Sequence, residues 1–142
     1  MGEQDAIRLA HDAVAAFNES DWDGFKAQLT TNTVYNELGT QRSLKGPDEI
    51  VEAFQGWKQA MPDVKGTVTN SFASGNTVVL EVTWKGTQTG PLVSPAGTIP
   101  PSGKSQTTPS AWIFEYDGDK ITESRNYFDL MTLLTQIGAM PK

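Results

Sequence analysis

The feature that most constrains this chain is a change of hydrophobic period near its middle. Up to Pro62 apolar residues recur at steps of three and four; beyond Val64 they alternate. From Glu3 to Asn18, the residues Ile7, Ala10, Val14 and Phe17 form one stripe, widened by Leu9, Ala13 and Ala16. This spacing predicts an amphipathic helix with one buried face. Ser20 or Asp21 can cap a short second helix that carries Trp22, Phe25 and Leu29 on one side. Residues 33–38, rich in β-branched and aromatic types, read as a short strand. Gly46-Pro47-Asp48-Glu49 then opens a helix, because proline suits the first turn and acidic side chains there complement the dipole. Ile50, Phe54, Trp57 and Met61 line its apolar face, and Pro62 ends it.

In the second half, residues 64–73, 77–88, 104–116 and 120–128 read as strands. Ser74-Gly75-Asn76 and Asp117-Gly118-Asp119 are tight-turn sequences that close two antiparallel hairpins. Val78, Leu80, Val82 and Trp84 alternate with Val79, Glu81, Thr83 and Lys85, so one face of that strand is packed and the other mixed. Between Thr89 and Gly103, the prolines at 91, 95, 100 and 101 exclude a central strand. A loop this long is expected to be a pocket lid or a contact arm. A last helix runs from Leu130 to about Ile137, closed by Gly138. Helices first and an antiparallel sheet second predict one α+β domain over residues 1–142, with the helices on one sheet face and a pocket between them.

Composition narrows the function. The net charge of −6, without a Lys/Arg stripe, argues against nucleic acid as a partner. No apolar run reaches the length of a membrane span and the N-terminus lacks a leader pattern, so the chain reads as soluble and cytoplasmic. With no cysteine and only His11, thiolate or His-rich metal sites and a cysteine nucleophile fall away. A Ser-His-Asp triad would need His11, which sits one step off the apolar stripe, and no nucleophile-elbow sequence accompanies it. The expected metal and cofactor content is none.

Several segments, in order, resemble one family. They are Gly46-Pro47-Asp48-Glu49-Ile50, Phe54 through Met61-Pro62-Asp63, Gly86-Thr87-Gln88-Thr89-Gly90-Pro91 and Pro100-Pro101-Ser102-Gly103-Lys104. Asp117-Gly118-Asp119-Lys120-Ile121, Tyr127-Phe128-Asp129 and Gln136-Ile137-Gly138 complete the set. The chain resembles the SnoaL-like polyketide cyclases and ester cyclases of the nuclear transport factor 2-like superfamily. The resemblance implies a cone-shaped curved sheet covered by N-terminal helices, and a homodimer packed through the outer sheet face. It also implies a small hydrophobic ligand and cofactor-independent ring closure by an aspartate near the end of the last strand, here Asp129. Many relatives carry histidine where this chain has Gln88, which hydrogen-bonds but does not titrate.

Read from the residues themselves, Asp129 has two roles open to it. In an apolar pocket it would be a base for proton abstraction beside a carbonyl; just ahead of a helix it would be an N-cap. Glu123, Arg125, Tyr127 and Asp129 occupy alternate positions and share a strand face. Arg125 and Tyr127 there could stabilise an enolate oxygen, or belong to a surface ladder of charge pairs. Tyr35 and Asn36 could orient a substrate carbonyl, and Phe54, Trp57 and Trp112 are the expected pocket walls. The catalytic expectation is therefore Asp129 with Tyr127 and Gln88, acting as a cyclase, isomerase or lyase on a small apolar carbonyl compound. A non-catalytic binding protein and an epoxide hydrolase are the alternatives.

Overall fold

The computed structural model describes residues 2–94 and 97–139. The helical period becomes three helices. α1 (Glu3–Asn18) buries Ala6, Ala10, Ala13, Val14, Ala16 and Phe17, a stripe small enough to lie close against the sheet, while Ile7 and Leu9 flank it half-buried. α2 (Trp22–Lys26) is capped by Asp21, whose Oδ1 accepts the Gly24 N–H at 2.9 Å. α3 (Pro47–Ala60) begins at its proline and ends at Met61, directly before Pro62.

The alternating half becomes a curved sheet. Its strands are β1 (Val34–Glu37), β2 (Arg42–Lys45), β3 (Lys65–Ser74), β4 (Thr77–Thr87), β7 (Ser105–Asp117) and β8 (Lys120–Phe128). Their order is β2-β1-β8-β7-β4-β3. All neighbours are antiparallel except β1 and β8, which run parallel. The two predicted hairpins are present, with Gly75 and Gly118 at positive φ in their turns. The architecture is α+β, with a curved, mostly antiparallel sheet and N-terminal helices over one face.

Two features escape the periodicity. β2, Arg-Ser-Leu-Lys, is a polar edge strand with no apolar alternation; it exists because the chain reverses after Thr40 and pairs with β1. The Gly/Pro-rich stretch folds back as a separate two-stranded sheet of β5 (Leu92–Ser94) and β6 (Gly97–Ile99). Of its prolines, Pro95 lies outside the described residues.

The inner sheet face and the helices share an aromatic core. Trp112 packs tilted against Phe114, 4.7 Å between centroids, and Phe54 meets Phe17, Phe25 and Tyr35 edge-on at 4.9–5.6 Å between centroids. Edge-on rings align the positive edge of one with the negative face of the other. On β7 every second residue from Gln106 to Tyr116 is buried, so that strand supplies the floor of the cone.

Candidate functional site

The cavity lies between α3, the inner sheet face and the last helix, α4 (Leu130–Gln136). Its walls are mostly apolar: Phe54, Trp57, Met61, Trp84, Trp112 and Phe128 among them. α4 contributes Leu133. Polar atoms come from Tyr35 and Glu37 on β1, Asn126 on β8, and Gln106 and Thr108 on β7. Apolar walls with a few placed polar groups are what a small-molecule site requires.

Glu37 is the carboxyl group on this wall, only 1% exposed. Burying an acid costs several kcal/mol unless charge and hydrogen bonds compensate, and here both do. Oε1 accepts from Thr40 Oγ1 at 2.6 Å and from Arg42 Nη2 at 2.7 Å and Nε at 3.1 Å. Oε2 accepts from Trp57 Nε1 at 3.0 Å and Tyr35 Oη at 3.2 Å. Arg42 stands directly opposite Glu37 in the β1–β2 register, so the polar edge strand delivers the countercharge. Trp57 and Tyr35 line the cavity whereas Thr40 and Arg42 do not; Oε2 is therefore the cavity-side oxygen.

The polarity of the network continues to β8. Asn126 Nδ2 donates to Tyr35 Oη at 3.3 Å, and Asn126 Oδ1 is buried with no hydrogen-bond partner. Burial first, and then the adjacent Glu37 charge, hold the Tyr35 phenol well above its ordinary range, so it remains an O–H donor. At the other side, Thr108 Oγ1 donates to Gln106 Oε1 at 2.5 Å, which leaves Gln106 Nε2 facing Met61 Sδ at 3.5 Å. Thioether sulfur is a weak acceptor, so that N–H is underused.

The structure separates the expected site residues. Tyr35, Phe54, Trp57 and Trp112 line the cavity. Asp129 does not: it is exposed at the N-cap of α4, with Oδ1 accepting from the Met131 and Thr132 N–H groups and Oδ2 from Thr132 Oγ1. The Thr132 hydroxyl, and then its backbone N–H, hold the Asp129 carboxyl below the usual carboxylate range, the reverse of what a base near neutrality needs. Tyr127 is 45% exposed. Arg125 lies among Glu115 and Glu123 and is ion-paired to both, and Asn36 Nδ2 donates to Glu123 Oε1 at 3.3 Å. The alternation that groups Glu123, Arg125 and Tyr127 is real, but their shared face is the outer one; Ser124 and Asn126, between them, are the inward residues.

Gln88 is buried yet absent from the cavity wall. Its Nε2 donates to the carbonyls of Gly90, Ile99 and Pro100, and its Oε1 accepts from the Ser102 N–H, so it fastens the 89–103 segment. Gly90 completes that fastening: a Cβ there would stand 2.0 Å from the Gln59 carbonyl oxygen. His11 is exposed on α1, its Nε2 2.7 Å from Ser71 Oγ.

The residues that sequence reasoning missed are Glu37, Arg42, Gln106 and Asn126. Glu37 shares its strand face with Tyr35 by a step of two, which is a readable signal. Asn126 stands opposite Trp112, a relation visible only once β7 and β8 are in register. Among the described residues, no group of three or more His, Cys, Asp or Glu side chains converges as a metal site would require.

A curved, mostly antiparallel sheet under N-terminal helices, with a cavity between them, defines the class of α+β fold to which this chain's architecture belongs. Residues 7–137 match the family model of the SnoaL-like polyketide cyclases. The chain belongs to that family. Among solved structures, a protein from Jannaschia sp. assigned as a SnoaL-like polyketide cyclase superposes with a TM-score of 0.86 at 20% identity, covering 98% of this chain and 95% of that one. TsrD from Streptomyces laurentii gives 0.83 at 22% identity, over 99% of each chain. An LEH-like epoxide hydrolase of M. tuberculosis gives 0.73 at 20% identity, over 95% of this chain and 90% of that one. These likenesses establish the fold. No curated protein matches the sequence.

Proposed function

We propose that this chain is a cofactor-independent acid–base enzyme, a cyclase, isomerase or lyase, acting on a small, largely apolar carbonyl compound, with Glu37 rather than Asp129 as the proton-transfer group. One observation carries the reading: the carboxyl on the cavity wall presents Oε2 between Tyr35 and Trp57, while Arg42 and Thr40 anchor its other oxygen from behind. A buried acid with its own countercharge is weak support for stability and therefore a candidate for function. Gln106 and Glu37 line the same cavity, with Gln106 Nε2 facing Met61, the residue that caps α3 four positions after Trp57. That N–H supplies a donor for a carbonyl oxygen on which negative charge develops.

The test uses a simple ketone. Hydrogen–deuterium exchange at the carbons next to the carbonyl of 2-indanone, followed by NMR, should be accelerated by the wild type. Glu37→Gln should remove at least about a hundredfold of that acceleration, whereas Asp129→Asn should retain it. Equal rates for Glu37→Gln and the wild type would refute the assignment.

A second reading is a binding protein without chemistry. It is favoured by the full set of donors around Glu37, and it predicts ligand binding with no exchange in any variant. Epoxide opening ranks below both, because Glu37 is the only carboxyl among the lining residues and that chemistry calls for convergent carboxylates. We also propose a homodimer through the outer sheet face, where Phe72 is 53% exposed and is flanked in register by Val79 and then Ile113. No helix among the described residues is long and apolar enough to cross a membrane.

A further inference from the structure

We infer that the ligand of this cavity presents a hydroxyl or N–H group to Asn126, so that beside its carbonyl it carries, or forms as its enol, a hydrogen-bond donor, which a hydrocarbon lacks. The inference rests on reading this cavity as the ligand site and goes beyond that reading by fixing the polarity of one end of the ligand.

The direction of the hydrogen-bond chain is set by groups that have no choice. Trp57 Nε1 and the Arg42 guanidinium can only donate, so both oxygens of Glu37 act as acceptors. Tyr35 therefore spends its one hydrogen on Glu37. Its oxygen can then only accept from Asn126, which turns the Asn126 Nδ2 towards Tyr35 and leaves Oδ1 as the other end of the amide. Flipping that amide would put a second acceptor against a phenol oxygen with no hydrogen left to give. Asn126 is 7% exposed and lines the cavity, and its Oδ1 is the one buried side-chain oxygen or nitrogen without a partner among the described residues. A carbonyl oxygen left in that state is costly, and only a donor relieves it. A ketone, ester or ether oxygen at this point would add repulsion; an alcohol, phenol or enol would complete the chain from Arg42 through Glu37, Tyr35 and Asn126 to the ligand.

The experiment uses two probes of nearly identical shape, p-cresol and p-xylene, with 4-methylbenzaldehyde as the carbonyl counterpart. Each is titrated into the full chain and followed by amide chemical shifts in NMR, which also report that every variant is folded. Transfer from water alone favours p-xylene, because burying an unpaired hydroxyl costs free energy. The wild type should nevertheless bind p-cresol more tightly than both other probes. The ratio of p-cresol to p-xylene affinity should fall about tenfold in Asn126→Leu. Tyr35→Phe, which frees the amide to turn, should erode it. Tighter binding of p-xylene or of the aldehyde by the wild type, no binding of any probe, or a ratio unchanged in Asn126→Leu would each overturn the inference. A preference for p-cresol in a protein that shows no ketone exchange would uphold the inference and sink the catalytic reading, so the two fail separately.

Discussion

Replacing Gln88 tests whether one buried side chain holds the 89–103 segment down. Its Nε2 has two hydrogens shared among three carbonyls at 3.1–3.3 Å, and its Oε1 takes one N–H at 3.2 Å. That amounts to about three effective hydrogen bonds at about 1 kcal/mol net apiece. Gln88→Leu keeps most of the buried volume and removes all of them. Pro100 and Ser102 are exposed and can turn to water, so the expected loss is about 1.5–3 kcal/mol, or about 4–10 °C in melting temperature for a chain of this length. Gln88→Glu should be worse at pH 7, because a carboxylate would face three carbonyl oxygens. Its folded-state pKa would be raised above the unfolded value of about 4.3. Protonation then restores a donor, and the deficit should shrink as pH falls from about 6 to 4. Urea denaturation at several pH values gives the free energies. Hydrogen exchange at the Gly103 N–H, which donates to the Gln88 carbonyl, reports whether the segment lifts locally. Gln88→Leu within about 0.5 kcal/mol of wild type, or a pH-independent Gln88→Glu, would show that backbone pairing and the buried Leu92 hold the segment without the amide.

Asp129→Asn should leave α4 and the melting temperature nearly unchanged, since asparagine caps as well as aspartate, while Asp129→Ala should lower both helix content and melting temperature by circular dichroism. The carboxyls of Asp129 and Asp63 are both held low, the latter first by the Thr87 N–H and then by its hydroxyl. The stability they contribute is present above the unfolded value of about 3.9 and is lost as pH falls below it. Asp63→Asn should therefore flatten the acid limb of the stability profile measured by denaturant titration. Burial holds the phenols of Tyr35 and Tyr116 up, so above pH ~10 the unfolded chain releases protons that the native chain keeps, and stability declines. An ultraviolet pH titration should show no native-state phenolate lost in Tyr35→Phe. Phe72→Glu should convert the proposed dimer to monomer by analytical ultracentrifugation; an unchanged sedimentation coefficient would remove the outer face as the interface.

The local structure was legible because it is written in short-range chemistry. The Ala/Val/Phe stripe of α1, Pro47 at the start of α3, the two Gly-centred turns and the alternation of β4 all act through neighbours within a few residues, and each element formed where its pattern lay. Tyr35, Phe54, Trp57 and Trp112 were readable as wall residues because large aromatics on packed faces end up around whatever space the core leaves. β2 was not readable, since a polar edge strand owes its existence to its partner rather than to its own sequence.

The sequence by itself determined that helices would cover a sheet and that Glu123, Arg125 and Tyr127 would share one face of β8. Only the tertiary structure decided which face that was. Alternation has a period of two and no sign: until β8 is laid between β1 and β7, the charged set and the Ser124–Asn126 set are equally eligible to face the cavity. Packing resolved it by cost, because three charged or phenolic side chains stay hydrated outside while a serine and an asparagine bring no charge inside. The same step carried Asp129 out to cap α4 and brought Arg42 across from β2 to make a buried Glu37 tolerable. The site therefore depends on pairings between segments far apart in the chain, which no reading of one segment at a time contains.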